Sequence, residues 1–375
     1  PEPDPVRART YRAAGHWRDD TIHGLVAASA RDHPDKSAVR DASGASLTYR
    51  ELATRSAALS GFLAGNGVGR GDIVTACLPN RADSVVAFLA VLRLGAVVNP
   101  VPTTYGRADL AFVLDKCASK ALLIPGRFRS VDFTAVAETL LADGRDGLPV
   151  VRFGQGGKCI GTPLAEALAH PPVDEVAAVS ADAPAAVLFT SGTESRPKGA
   201  VHTHNTILFG ERAMAAALQV GPGDTAFMAS PISHATGFLH GFAMTLTTGG
   251  TLSLLDIFSG DAAARQMREH RCTWTMGATP FLSDIADALS ADGRGLPDLR
   301  YFLCGGAPVP EPLVRRATAL GLRVLSIYGS TESPPHTIVH PSDPVENAWT
   351  SDGRPLAGIE TEVVSGAREP LPDGE

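Results

Sequence analysis

Val187-Leu188-Phe189-Thr190-Ser191-Gly192-Thr193-Glu194-Ser195-Arg196-Pro197-Lys198-Gly199-Ala200-Val201-His202-Thr203-His204 is the stretch on which the reading of this chain turns. It begins as a short apolar run, 185–189, with no polar alternation, the pattern of a central parallel strand covered on both faces. It then breaks into hydroxyls and glycines, and 205–218 follows with helical periodicity. A strand, a Gly/Ser/Thr loop and a lysine suit a backbone that wraps a polyphosphate. Glycines let the main chain come close, amide N–H groups and hydroxyls donate, and one ammonium offsets charge. The Walker pattern is excluded, because Gly199 stands where Ser or Thr must follow the lysine. A plain surface loop has the same composition, so the order of the residues has to carry the argument.

Composition narrows the setting. With 375 residues, 44% hydrophobic, 19% charged and a formal net charge of −7, the chain is long enough for two or more subdomains. A mildly acidic balance with no basic cluster interleaved with aromatics leaves no nucleic-acid footprint. No apolar run approaches the ~18 residues of a membrane span, and the polar first residues, 1–9, are unlike a signal peptide. Cys77, Cys117, Cys159, Cys272 and Cys304 are scattered without metal-type or disulfide-type spacing. They read as small buried hydrophobes and point to a reducing cytoplasm.

From Thr48 the text alternates. Thr48 and Glu51 have capping-box form and open a helix running to about residue 64. Strands at 73–78, 96–101 and 121–124 are separated by helices at 83–94 and 108–117, with another at 131–142. The stretch 154–183 reads as a connection. Beyond the opening stretch come strands at 225–229, 251–255, 273–276, 301–304 and 323–327, with helices at 237–247, 262–270, 281–289 and 311–320 between or after them. After Tyr328 the text becomes Pro-rich, with strand-like pieces at 359–364. This predicts an α/β fold of two mostly parallel sheets with crossover helices in a layered arrangement, plus a smaller β-rich subdomain. The expected divisions are about 20–180, about 181–332 and about 333–375. The last residues, Leu371 to Glu375, read as a turn into a further strand, so the chain is expected to be a cut piece.

A second signature occurs at Ser326-Ile327-Tyr328-Gly329-Ser330-Thr331-Glu332. A strand running into an aromatic, a glycine, hydroxyls and a carboxylate suits a nucleotide. Tyr328 can stack on a purine, Thr331 can bond a phosphate oxygen, and Glu332 can hold Mg²⁺ through hard oxygens. Thr-Ser-Gly-Thr with Pro-Lys-Gly, paired with Tyr-Gly-x-Thr-Glu, resembles the adenylate-forming superfamily of acyl- and aryl-CoA synthetases, peptide-synthetase adenylation domains and luciferases. The resemblance assigns the β- and γ-phosphates to Thr190, Ser191, Gly192, Thr193 and Lys198. It assigns the α-phosphate to Thr331, Mg²⁺ to Glu332 with Thr193, and the adenine to Tyr328 with Ile327 and Gly329. Gly305-Gly306-Ala307-Pro308 resembles the loop beside the adenine, where glycine lets the base lie on the backbone. Glu194 departs from the commoner Thr or Gly and resembles medium-chain and cyclohexanecarboxylate CoA ligases. An acid there is expected to point away or to face a cation.

The segment Ser230-Pro231-Ile232-Ser233-His234-Ala235-Thr236-Gly237-Phe238 resembles the family's acid-binding region, with His234 at a gate between acid pocket and thiol tunnel. Amino-acid-activating relatives place Asp at the next position, and this chain has Ala235. A buried ammonium without a partner is costly, so an α-amino acid is disfavoured. Phe238, Leu239, Met276, Ala278 and Phe281, with Ser330, are candidates for the pocket walls. Gly277-Ala278-Thr279-Pro280 resembles the family's Gly-Val-Pro-Thr with its last two residues exchanged. His202 and His204 lack a third metal ligand and read as packing residues.

The resemblance implies attack of a small carboxylic acid on ATP, release of pyrophosphate, and transfer of the acyl group to CoA. A carrier protein's phosphopantetheine is the alternative acceptor, and a catalytically silent nucleotide-binding scaffold is a third reading. In the family a ribose-binding aspartate, a hinge and a catalytic lysine lie beyond Glu375, in a small C-terminal domain expected to be missing. Weak adenylation by this piece is the corresponding expectation.

Overall fold

The computed structural model describes residues 4–173, 178–190, 197–333 and 335–372. Ser191, Gly192 and Thr193, on which part of the phosphate assignment rests, lie outside the described residues, as do Glu194 and Ser195.

Two large sheets form the frame. In the nine-stranded sheet the spatial order is Arg354–Pro355, Thr337–Ile338, Val324–Tyr328, Tyr301–Gly305, Trp274–Gly277, Thr225–Met228, Thr251–Leu254, Ser37–Asp41 and Ser46–Thr48. The run from Val324–Tyr328 to Ser37–Asp41 is parallel throughout, and short antiparallel strands close both edges. The seven-stranded sheet runs Gly199–Thr203, Pro184–Phe189, Val97–Pro100, Ile73–Ala76, Ala121–Pro125, Val150–Phe153 and Thr162–Pro163. Its central strands are apolar and buried along their length, as strands covered on both faces require.

The helix Ala82–Arg93 is buried almost all round and touches Ser37–Asp41 of one sheet and Val97–Pro100 of the other. A helix apolar on every face belongs between layers, and this one is the shared core of the two sheets. Beside it packs the helix Tyr49–Gly65, which opens as its residues dictate. The Glu51 N–H donates to Thr48 Oγ1 (3.2 Å), and the Thr48 N–H donates to Glu51 Oε2 (2.8 Å).

Four features depart from the sequence expectation. First, the sheets do not divide near residue 181. Ser37–Asp41 pairs with Thr251–Leu254, and Pro184–Phe189 pairs with Val97–Pro100, because each strand finds its partner across the chain. Second, Pro184–Phe189 is parallel on one side only, and Gly199–Thr203 returns antiparallel on the other. The strands that flank the signature therefore form an antiparallel pair, and the helix His204–Leu218 begins only after the second of them. Third, strands at Val150–Phe153 and Thr162–Pro163 lie in or beside the expected connection. Fourth, no strand forms over 359–364; Val364 makes only an isolated bridge to Pro370, while the Pro-rich text supplies two-residue strands that extend the nine-stranded sheet.

Among the described residues no helix is long and apolar enough to cross a membrane. Cys77, Cys272 and Cys304 are buried thiols, and burial raises the pKa of each.

Candidate active site

The carboxyl ends of four neighbouring parallel strands, Thr225–Met228, Trp274–Gly277, Tyr301–Gly305 and Val324–Tyr328, lead into loops that surround one cavity of about 420 Å³. This is where open α/β sheets present their ligand sites. Each wall has a local cause. A Cβ on Gly305 would lie 2.6 Å from the Ile327 carbonyl oxygen, so only glycine lets these strand ends sit so close. Gly306 follows with φ +89°, a conformation that side chains resist, and it faces open space. Tyr328 leaves its strand with half its surface exposed and its ring 5.4 Å from that of His336.

On the opposite wall, the His234 N–H donates to the Pro231 carbonyl, and the His234 carbonyl accepts from the Phe238 N–H. His234 Nδ1 accepts from the Thr236 N–H at 3.3 Å, which fixes the ring at the mouth of the coil that follows. The ring keeps an exposed edge, yet protein packed around it lowers its pKa, and the neighbouring His240 adds to that. The coil Thr236–Met244 is a π-helix, nine residues with the wider turn, so residues five apart share a face. Ala235 and His240 accordingly both line the cavity. Gly237 is required beneath this wall, since a Cβ there would meet the Pro231 oxygen at 2.2 Å.

Of the residues singled out from sequence, Ile327, Tyr328, Gly329, Ser330, Thr331, Gly305, Gly306, His234, Ala235 and Ala278 line this cavity, with Met276 and Phe281. Others fall elsewhere. Phe238 and Leu239 are core residues: Phe238 is fully buried against Phe88 and Phe242, on the side of the coil away from the cavity. Ala307 and Pro308 are exposed just past it. Glu332 lines a neighbouring cavity of about 830 Å³ with His202, Thr206 and His336, and not the one that Thr331 lines. It makes no ion pair among the described residues.

Lys198 is exposed, and its carbonyl accepts from the Thr190 N–H at 2.9 Å, closing the neck of the hairpin. Neither Lys198 nor Thr190 lines either cavity. The hairpin meets the second signature through His202, on the same return strand, whose Nε2–H donates to the Thr331 carbonyl at 2.8 Å. Burial lowers the pKa of His202, opposed by that bond and by the charges of Glu211 and Glu332. His204 points away and accepts from the Ile22 N–H at 3.2 Å.

Sequence reasoning missed Asn80. Its side-chain amide donates to the carbonyls of Met228, Ser230 and Leu255, and its oxygen accepts from the Ile232 N–H at 2.7 Å. One buried asparagine thus ties the end of the strand Ile73–Ala76 to the loop carrying His234. Its only signal in sequence is an Asn after Pro79 at a strand end, which is also ordinary turn chemistry. Glu211, which bonds His240, was missed as well.

Comparison with known proteins gives a consistent set. A family described as AMP-binding enzyme matches residues 26–375. The medium-chain fatty-acid–CoA ligase of Escherichia coli K12 is 37% identical over 98% of this chain and 65% of its own length. A feruloyl-CoA synthase of an Amycolatopsis species is 30% identical over 92% of this chain and 66% of its own. The chain thus spans about two thirds of the length of these relatives. The apo structure of MbtA from Mycobacterium smegmatis superimposes with a TM-score of 0.89 at 26% identity, over 99% of this chain and 68% of that one.

Proposed function

We propose, since this chain belongs to the AMP-binding enzyme family, that it activates a non-amino carboxylic acid as its acyl-adenylate, with release of pyrophosphate and onward transfer to CoA. The observation that carries this reading is one cavity walled on one side by Tyr328 to Thr331 and on the other by His234 and Ala235. A nucleotide on the first wall and an acid on the second would meet between them.

A carboxylate is already a nucleophile, so the protein has to align the attack and neutralise charge. The glycine cradle at Gly305 and Gly306, with exposed Tyr328 beside it, fits a planar base. Thr331 borders the cavity where the α-phosphate would lie, and Lys198, exposed at the neck of the hairpin, would be the group to act on the departing phosphates. Mg²⁺ takes one or two carboxylates together with phosphate oxygens, and Glu332 is an exposed carboxylate of that kind; the ion would supply positive charge to the phosphates. No Asp or Glu is among the described residues that line the acid wall, so an α-ammonium has no partner there. The 37% identity to a medium-chain ligase supports a hydrocarbon-rich acid.

The test is acid-dependent ATP–pyrophosphate exchange across a panel of acids, with calorimetric titration of ATP and Mg²⁺ alongside. Lys198→Ala and Glu332→Gln are each expected to lower exchange by about 10²–10³-fold, the range for losing one charge-stabilising group. ATP binding without exchange for any acid would favour a silent scaffold, and absence of both would end the reading. CoA against a holo-carrier protein, scored by AMP release, decides the acceptor.

A further inference from the structure

His240 is the feature that adenylation leaves unexplained. It lines the cavity together with the apolar Pro231, Ala235, Met276, Phe281 and Ile327 and the polar Ser230, His234 and Thr236, and it is 3% exposed. Its Nδ1 is 3.0 Å from Oε2 of Glu211, itself 2% exposed on the helix His204–Leu218. A carboxylate only accepts, so Nδ1 carries the hydrogen, and in the neutral ring Nε2 is then a bare lone pair. Among the described residues nothing hydrogen-bonds to Nε2.

Folding does not ask for this pair. Glu211 Oε1 is buried without a partner, a defect that costs stability, and two apolar side chains would fill the same space without it. The wide turn of Thr236–Met244 is what brings the ring onto the cavity face beneath Ala235. A buried acceptor in the cavity lining penalises any hydrocarbon that covers it, because its water is lost and the hydrocarbon offers no hydrogen in return. A hydroxyl on that hydrocarbon restores the bond.

We propose, on the reading of the cavity as an acid site, that His240 is a specificity-determining residue whose Nε2 accepts a hydrogen bond from a hydroxyl on the acyl chain. Glu211 is the positioning residue behind it, holding the tautomer and the ring plane. The substrate class is therefore hydroxylated medium-length acids in preference to plain alkanoates.

The experiment is calorimetric titration of the chain, with ATP and Mg²⁺ titrated separately, using three kinds of probe. These are octanoate, hydroxyoctanoates with the hydroxyl at successive carbons, and the matching oxo-octanoates. The best hydroxy isomer is expected to bind at least about tenfold tighter than octanoate, the scale of one buried hydrogen bond. Its oxo counterpart, which cannot donate, gains nothing. His240→Leu should abolish or invert the preference. His240→Asn, which keeps an acceptor in less volume, should retain part of it. Glu211→Gln should lower the ratio of hydroxy acid to octanoate while octanoate affinity stays within about twofold; a merely structural role would lower all three alike. Octanoate bound with no hydroxyl preference, or oxo acids bound as tightly as hydroxy acids, overturns this inference alone. No acid bound while ATP binds overturns it together with the acid-site reading.

Discussion

The two sheets are built from similar strand text, and they use their carboxyl ends in opposite ways. In the seven-stranded sheet the strand Ile73–Ala76 ends in Asn80, whose side chain is spent on four main-chain groups of the other sheet's loops. Nearby, Asp41 Oδ2 accepts from the Ala82 N–H and so caps the central helix from across the interface. In the nine-stranded sheet the ends of Tyr301–Gly305 and Val324–Tyr328, brought close by Gly305, border a cavity that stays open. One edge is fastened so that the other can remain a cavity. An opening in a packed interior has to be supported by bonds made elsewhere, and here the support comes from a different layer.

Asn80→Ala is the most direct way to break this division. It would leave the Ser230 and Leu255 carbonyls and the Ile232 N–H unmet in a buried place, while the Met228 carbonyl keeps its bond from the Leu255 N–H. A cost of about 2–4 kcal/mol in urea unfolding is expected, by the usual penalty for orphaned polar groups. Because Ser230 and Ile232 precede His234, nucleotide and acid affinity should fall as well. A loss of stability under about 1 kcal/mol would show that the loops hold themselves. Gly305→Ala attacks the open edge instead. Its Cβ would press on the Ile327 carbonyl from 2.6 Å, and about 1–3 kcal/mol of overpacking strain is expected. The effect should weigh more on AMP affinity than on the unfolding midpoint; equal losses in both would count against a local role.

The smallest effect separates the fastened side from the cavity by pH. His23 and His204 are buried near the N-terminal segment, and burial lowers their pKa values from 6.5 to about 4 and about 3; Arg93 adds to the effect on His23 and His23 to that on His204. Both rings are neutral in the folded protein, so their contribution is complete above pH 6.5. Below it the unfolded chain takes up protons that the folded rings refuse, and stability declines as pH falls from 6.5 toward 4. Each ring contributes a slope of at most about 1.4 kcal/mol per pH unit. His204→Gln should flatten part of that slope in denaturation measured between pH 7 and pH 5. A slope unchanged by the substitution would place the acid sensitivity in other groups.

The sequence disclosed what depends on near neighbours. Thr48 and Glu51 announced a helix because both partners of the capping box lie within one turn, and the second signature announced a strand end because Ser326 to Glu332 carries its glycine and hydroxyls in order. The parallel sheets were legible from apolar runs alone. What escaped depends on distant partners. Asn80 is informative only once the carbonyls of Met228, Ser230 and Leu255 surround it, and Glu211 reads as a helix-surface acid until His240 packs on it. The return strand Gly199–Thr203 was hidden for another reason: half-exposed and five residues long, it has too weak an alternation to be told from loop. Phe238 and Leu239, named for the pocket as apolar residues beside His234, turn into the core instead, because the wide winding of Thr236–Met244 gives the cavity face to His240.

That wide coil has a consequence for engineering. Between relatives, acid preference is usually exchanged by copying side chains position for position through an alignment. Across Thr236–Met244 such columns do not translate into directions unless both proteins keep the same number of residues per revolution. Removing a single residue, Leu239 for instance, would let the backbone relax to the tighter winding and turn His240 away from its present bearing. The transferable module is the whole passage from Pro231 to Thr247, lifted with its pitch intact.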